Sequence, residues 1–190
     1  MSFLESLSPD RLDKSSDFVP CEFRVQWAAT RWERDSAMAL RRAVFCIEQG
    51  IFPGDDRDVI DDHAQLLVAQ SFVGGAPDAV VGTVRIHEDE PGLWWGSRLA
   101  VHAAFRHHGR IGATLIRLAV TSAHARGCRI FLAHVQSQNA AMFERLNWQT
   151  LKQATLHGRP HHLMQADLAH YPPCHDPYGG FVTRSTGARA

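Results

Sequence analysis

"RLAVHAAFRHHGRIGATLIRLAVTSAHARG" occupies residues 98–127. It opens on the end of an apolar segment, Leu99-Ala100-Val101. From about Gly109 to Ala125, Ile111, Leu115, Leu118 and Ala119 recur at helical spacing, and the small Ser122 extends the stripe. A strand therefore hands over to a helix through a loop holding Arg106, His107, His108, Gly109, Arg110 and Gly112. A helix N-terminus offers unpaired N–H groups and a partial positive charge of about half a unit. Glycines there let the backbone curl around an anion, and an arginine adds a bidentate partner. The same residues would also serve a plain strand-to-helix turn with solvated arginines. The named nucleotide signatures, GxGxxG and GxxxxGK[ST], are absent.

Upstream, "CEFRVQWAA" (21–29) alternates apolar and polar residues as a strand does. A helix follows from Thr30, its N-cap, to Gly50. "IFPGDDRDVIDDHA" is an aspartate-rich loop or short helical turn. Residues 64–72, 79–89 and 92–102 read as strands, the first two joined by a Gly-Gly-Ala-Pro turn. Downstream come a strand at 129–136, a short helix over 137–147 capped by Ser137, and a hairpin over 148–168 turning at Gly158–Pro160. The expected organisation is an N-terminal arm (1–20), one α+β domain (21–168) and an irregular C-terminal tail (169–190) rich in Pro and Gly.

Twenty basic and twenty acidic residues cancel, so no charge excess points to nucleic acid or to a highly acidic partner. No apolar run reaches the length of a membrane span, and the polar start does not read as a signal peptide. The expectation is a soluble, cytoplasmic protein. The four cysteines form no CxxC pair, and the adjacent pairs His107-His108 and His161-His162 face opposite ways on a strand. No metal site is expected.

The loop and the segment "ARGCRIFLAHVQSQNAAMFERLNW" resemble motifs A and B of the GNAT superfamily of N-acetyltransferases. Those proteins bind acetyl-CoA on a Q/R-x-x-G-x-G/A loop between a strand and a helix, and follow it with an asparagine and an aromatic ending. Here the matching residues are Ala125, Gly127, Asn139 and Phe143 to Trp148. The resemblance is strong over Arg98–Trp148, and the element order extends it to residues 21–168. It implies a mixed, mostly antiparallel sheet of about seven strands flanked by helices. It also implies direct transfer of an acetyl group from acetyl-CoA to a primary amine of a small molecule or, second, of a protein.

On that resemblance the acetyl-CoA residues are Leu99, Ala100, Val101, Arg106, His107, His108, Gly109, Arg110, Ile111, Gly112, Ala113, Asn139 and Phe143. Three departures stand out. The loop is one residue longer than usual, Phe143 replaces a common tyrosine acid, and Trp95 replaces a strand glutamate used as base by many members. Glu88 and Glu90 are the nearest upstream carboxylates and become the base candidates, against a reading as a solvated acidic turn. Arg42, Phe45, Asp58, Asp61, Arg85 and Trp95 are expected on the acceptor side. Without Trp95, that set resembles, in order, the charged and aromatic residues of acyl-homoserine lactone synthases. The R-x-x-x-F-x-x-E-Q run is also similar to bacterial acetyltransferases associated with nitrogen-starvation gene clusters. A non-catalytic acyl-CoA sensor is a further alternative. Trp94 and Trp95 suit either a pocket wall or a homodimer interface.

Overall fold

Alternation sets the first strand: in β1 (Glu22–Trp27), Phe23, Val25 and Trp27 are buried while Arg24 is exposed. The computed structural model describes residues 22–108 and 110–185, so the N-terminal arm and Gly109 lie outside the described residues. Helix α1 (Arg31–Arg41) starts at a capping box. Thr30 Oγ1 accepts from the Glu33 N–H at 3.2 Å, and the Glu33 carboxylate accepts from the Thr30 N–H at 2.7 Å. The helix expected to run unbroken to Gly50 widens at Arg42–Glu48 into π-helical turns. There Val44 and Phe45 join Leu40 and Ala100 in one buried cluster.

The remaining strands are β2 (Gln65–Val73), β3 (Ala76–Glu90), β4 (Leu93–Val101), β5 (Ile130–Gln136), β6 (Trp148–Leu156), β7 (Arg159–Ala166) and β8 (Phe181–Arg184). They form one sheet in the order β6-β7-β5-β4-β3-β2-β1-β8. β4 and β5 are parallel, and the other pairings with a defined register are antiparallel. The fold is thus a mixed α+β sheet of eight strands flanked by helices.

Helix α2 (Ile111–His124) packs with Leu67 and Ala69 of β2 in the main core, whereas α1 packs with Leu66 and Val68. Successive strand residues face opposite ways, so the two helices cover opposite faces of the sheet. Ser137 is not the cap of the short helix expected over 137–147. A 3-10 turn (Ser137–Asn139) leads into a single short helix, α3 (Ala140–Glu144), without a side-chain cap.

The tail expected to be irregular holds the eighth strand. β8 pairs antiparallel with β1, Phe181 opposite Val25, and forms the sheet edge. Its segment is fastened on the way. Tyr171 is buried, and its hydroxyl accepts from the Trp148 indole N–H at 3.0 Å and donates to the Leu146 carbonyl. The Trp27 N–H donates to the Pro177 carbonyl at 2.9 Å. Prolines and glycines dominate the local signal, while the hydrogen bonds that make the strand come from the far end of the chain.

Gly180 turns the chain into β8 at φ +59°, and a Cβ there would lie 2.0 Å from the Val25 carbonyl oxygen. Gly180→Ala is expected to destabilise by more than the ~1–2 kcal/mol of a left-handed non-glycine residue. Gly158→Ala, at φ +70° with open space around it, should show only that smaller loss. Equal melting-temperature shifts for the two variants would show that β8 does not press on β1.

Candidate active site

β4 and β5 pair over four positions, Leu93–Gly96 against Ile130–Ala133. Beyond them the strands part. On the other edge of β4, Thr83 faces Ala100 and Arg85 faces Ser97, so Arg98 and Leu99 together oppose Val84. This is a β-bulge, which bends the strand that carries it. Arg98 sits at φ +56°, a backbone state unfavourable by ~1–2 kcal/mol for a non-glycine residue. Its side chain anchors it there. The guanidinium meets the Asp56 carboxylate at 3.0 Å and Asp58 at 3.1 Å, and lies 4.5 Å from the Phe52 ring centroid.

A cavity of about 730 Å³ opens where the strands part. On the α1 side it is lined by Arg85, His87, Asp89, Trp95, Ser97 and His134. It continues through the parted sheet to Ile116 and Ala119 of α2, and to Asn139 and Phe143 around α3. The segment 49–60 walls it with Gln49, Phe52, Asp56 and Asp58.

Behind that wall is a cluster of three arginines and three aspartates. Arg41, fully buried, contacts Asp56 at 2.8 Å and Asp61 at 2.6 Å. Arg85 contacts Asp58 at 2.5 Å and Asp61 at 3.0 Å, and donates to Ser97 Oγ at 3.0 Å. Burial works to raise the Asp58 and Asp61 pKa values, but the facing arginines outweigh it and hold both below the ordinary carboxylate range. The buried Arg85 charge on β3 is thus met by Asp58 and Asp61.

The structure corrects two parts of the sequence reading. Arg42 is exposed and donates to the Gly54 carbonyl. Its neighbour Arg41 enters the cluster, because it shares the buried face of Ala37 and Leu40. Phe45, Asp58, Arg85 and Trp95 reach the cavity; Arg42 and Asp61 do not line it. The base candidates Glu88 and Glu90 have the wrong strand parity. His87 and Asp89 line the cavity, whereas Glu88 and Glu90 are exposed and do not. Glu88 accepts from the Gly92 N–H at 2.8 Å and closes the β3–β4 turn.

Two histidines missed in the sequence flank Trp95. His87 is its cross-strand partner, and its Nδ1 is buried with no hydrogen-bond partner among the described residues. The His134 ring stacks on Trp95 at 5.3 Å between centroids. Burial lowers the pKa of both, helped by Arg85 at His87 and by His161 at His134, so both rings are neutral at neutral pH. The signal for them was alternation along β3 and β5, but only the pairing shows that both faces meet at Trp95.

The sequence profile of the acetyltransferase (GNAT) family matches residues 27–148, more than half of the chain. The chain belongs to the GNAT family of acetyltransferases. A Lactobacillus plantarum protein assigned as an N-acetyltransferase is 25% identical with a TM-score of 0.67, over 76% of this chain and 97% of that one. An acyl-CoA N-acyltransferase of Pseudomonas aeruginosa is 18% identical with a TM-score of 0.61, over 76% and 98%. A Salmonella typhimurium protein assigned as an acetyltransferase, whose structure holds acetyl-CoA, is 19% identical with a TM-score of 0.54, over 77% and 94%. Among curated proteins, none matches the chain.

Of the acetyl-CoA residues expected in this GNAT chain, Leu99, Asn139 and Phe143 line the cavity, while the described residues between 106 and 113 do not. Leu99 lines the cavity, Ala100 is buried against Leu40, Val44 and Phe45, and Val101 pairs with Gly82. Arg110, at φ +51°, starts α2 without a side-chain cap, with Ile111 buried behind it. A Cβ on Gly112 would meet nothing nearer than Val101 at 3.8 Å, and Ala113 is half-buried. His107 is exposed, and His108 Nδ1 lies 3.4 Å from Ser185 Oγ. Arg106 is already paired, donating to the Val101 carbonyl at 3.0 Å and to the Glu48 carboxylate at 2.6 Å. The Asn139 side chain makes no cap bond, and the Phe143 ring packs edge-on against Trp148 at 5.0 Å. Among the described residues no three His, Cys, Asp or Glu side chains are grouped to hold a metal ion, and no helix is long and apolar enough to cross a membrane.

The ionic cluster should make the fold acid-sensitive. Asp58 and Asp61 have folded pKa values below the unfolded value of ~3.9. Their stabilisation is therefore complete above that value and is lost as pH falls toward and through the folded ones. Asp61→Asn leaves Arg41 and Arg85 underpaired, and is expected to cost about 3–5 kcal/mol at neutral pH. It should also flatten the loss of stability in acid. Urea unfolding of both proteins across the acid range checks this, and parallel curves would remove Asp61 from the cluster's energetics.

Proposed function

We propose that this GNAT protein transfers an acetyl group from acetyl-CoA directly to the primary amine of a small molecule. The observation that carries this reading is the cavity at the parted β4 and β5, lined by residues from both helical faces of the sheet. Such a passage lets a thioester enter from the α2–α3 side and meet an amine from the α1 side. The donor supplies an activated acyl carbon.

The chain's own residues suit that donor. The uncapped start of α2 offers backbone N–H groups to a pyrophosphate, with Arg106 and Arg110 adding charge. Gly112 leaves room for the anion. The edge of β4 beyond Gly96 faces no paired strand, so its backbone groups are free to hold the pantetheine amides and polarise the thioester carbonyl. On the acceptor side, Asp89 favours the approach of an ammonium, and Trp95 with Phe52 offers apolar faces to its carbon frame.

Gly112→Asp should abolish CoA binding by calorimetry while the melting temperature holds, because a carboxylate would face the pyrophosphate. Unchanged affinity would overturn the assignment of the donor site. Glu48→Gln should tighten CoA binding about two- to fivefold, since the pyrophosphate no longer competes for Arg106 and an exposed ion pair is worth ~0.2–1 kcal/mol. Asn139→Ala should weaken binding by about 1 kcal/mol, one net hydrogen bond. Thiol release from acetyl-CoA across a panel of amines and amino acids tests the transfer itself. Binding without release by any amine would leave a sensor in place of an enzyme.

A further inference from the structure

Attack on a thioester needs an amine with a free lone pair, whereas an alkyl amine near pKa ~10 is protonated at neutral pH. Some group at the cavity must take protons, and the lining carboxylates are poor choices. Asp56 and Asp58 face arginines, and Asp58 is a weaker base for it. Asp89 lies near the β3–β4 turn, beyond Trp95 from the point where the strands part. Four histidines remain on the lining: His87, His134, His157 and His161.

Position separates them. His157 sits at the β6–β7 turn with its ring against Phe52 at 4.8 Å. His161 is buried, with Nδ1 on the Arg159 carbonyl at 2.9 Å. His87 is level with Trp95, below the last joined residues of β4 and β5. His134 is the first residue of β5 past the last pair, Gly96 with Ala133. Continuing that register puts it level with Ser97, two residues short of Leu99. At about 3.3 Å per residue the offset is roughly 7 Å, which an amine nitrogen, with or without one water, can fill.

Resting on the transfer reading above, we propose that His134 is the general base of the reaction, its ring held in place by stacking on Trp95. The neutral imidazole takes a proton from the incoming ammonium and passes it to solvent. The freed nitrogen attacks the acyl carbon, forming the C–N bond, and His134 takes the second N–H proton. As the C–S bond breaks, that proton goes to the departing sulfur, directly or through water. One amide, one thiol and one solvent proton result.

The ring is free for this work, since among the described residues it makes no hydrogen bond and contacts Trp95. The titratable and charged groups around it are His161 from β7 and Lys152 from β6, both opposing its protonation. Across the cavity stand His87, Asp89, Asp58, Arg85 and Arg98.

The test is the pH profile of kcat/KM with an amine found by thiol release, for the full chain and for two variants. His134→Gln keeps a planar polar group over Trp95. It should lower kcat about 10²–10⁴-fold and remove the acidic limb of the profile, with CoA affinity and melting temperature unchanged. Added imidazole should restore part of the rate to His134→Ala. His87→Gln should keep the limb. A His134→Gln protein with the wild-type limb and rate overturns the base assignment and leaves transfer standing. Wild-type protein that binds CoA but releases thiol with no amine overturns both.

Discussion

One arginine in an unfavourable backbone state organises this molecule. Arg98 interrupts β4 with a positive φ, and the bulge it makes turns the strand from β5. The conformation persists because Asp56 and Asp58 grip the guanidinium and Phe52 covers it. Those aspartates are in turn placed by Arg41 at the end of α1 and Arg85 in β3. The opening between the strands is thus a consequence of charge pairing that spans α1, the 56–61 segment and two strands.

That pairing also decides what kind of site results. Three positive and three negative groups cancel, so the wall of the cavity is rigid and close to electrically neutral. Buried charges of this sort are strongly coupled, and losing one leaves its partner exposed to the full penalty of burial. Desolvation lowers the pKa of His87 and His134, with Arg85 adding to it at His87 and His161 and Lys152 at His134. The site therefore keeps uncharged bases available at neutral pH.

Much of this was legible in the sequence. The stripe of Ile111, Leu115, Leu118 and Ala119 placed α2, and the motif from Arg98 to Trp148 marked the family. Arg85, Asp58 and Asp61 were grouped from the sequence, and the two aspartates lie against the arginine. What stayed hidden depends on phase and on distant partners. Arg41 and Arg42 are adjacent, and the sequence does not show which one turns inward where α1 widens into π-helical turns. Glu88 and His87 differ by one position, which on a strand is the difference between solvent and cavity. β8 is made by a partner far away in the chain, and the Arg106–Glu48 pair joins two elements whose contact no local pattern announces.

The four-residue junction of β4 with β5 makes the sheet a book with a short spine, β5, β6 and β7 forming one cover and the other strands the second. Clasps from the 49–52 segment reach across the covers. Gln49 accepts from Gln136 at 3.0 Å with its side chain and from Arg159 with its carbonyl, and Phe52 abuts His157. The Arg98 bulge opens the gap, and the clasp holds the covers across it. Lengthening or shortening this surface loop would widen or narrow the passage without touching a single strand pair, so the range of admissible molecules is tunable independently of the architecture that holds them.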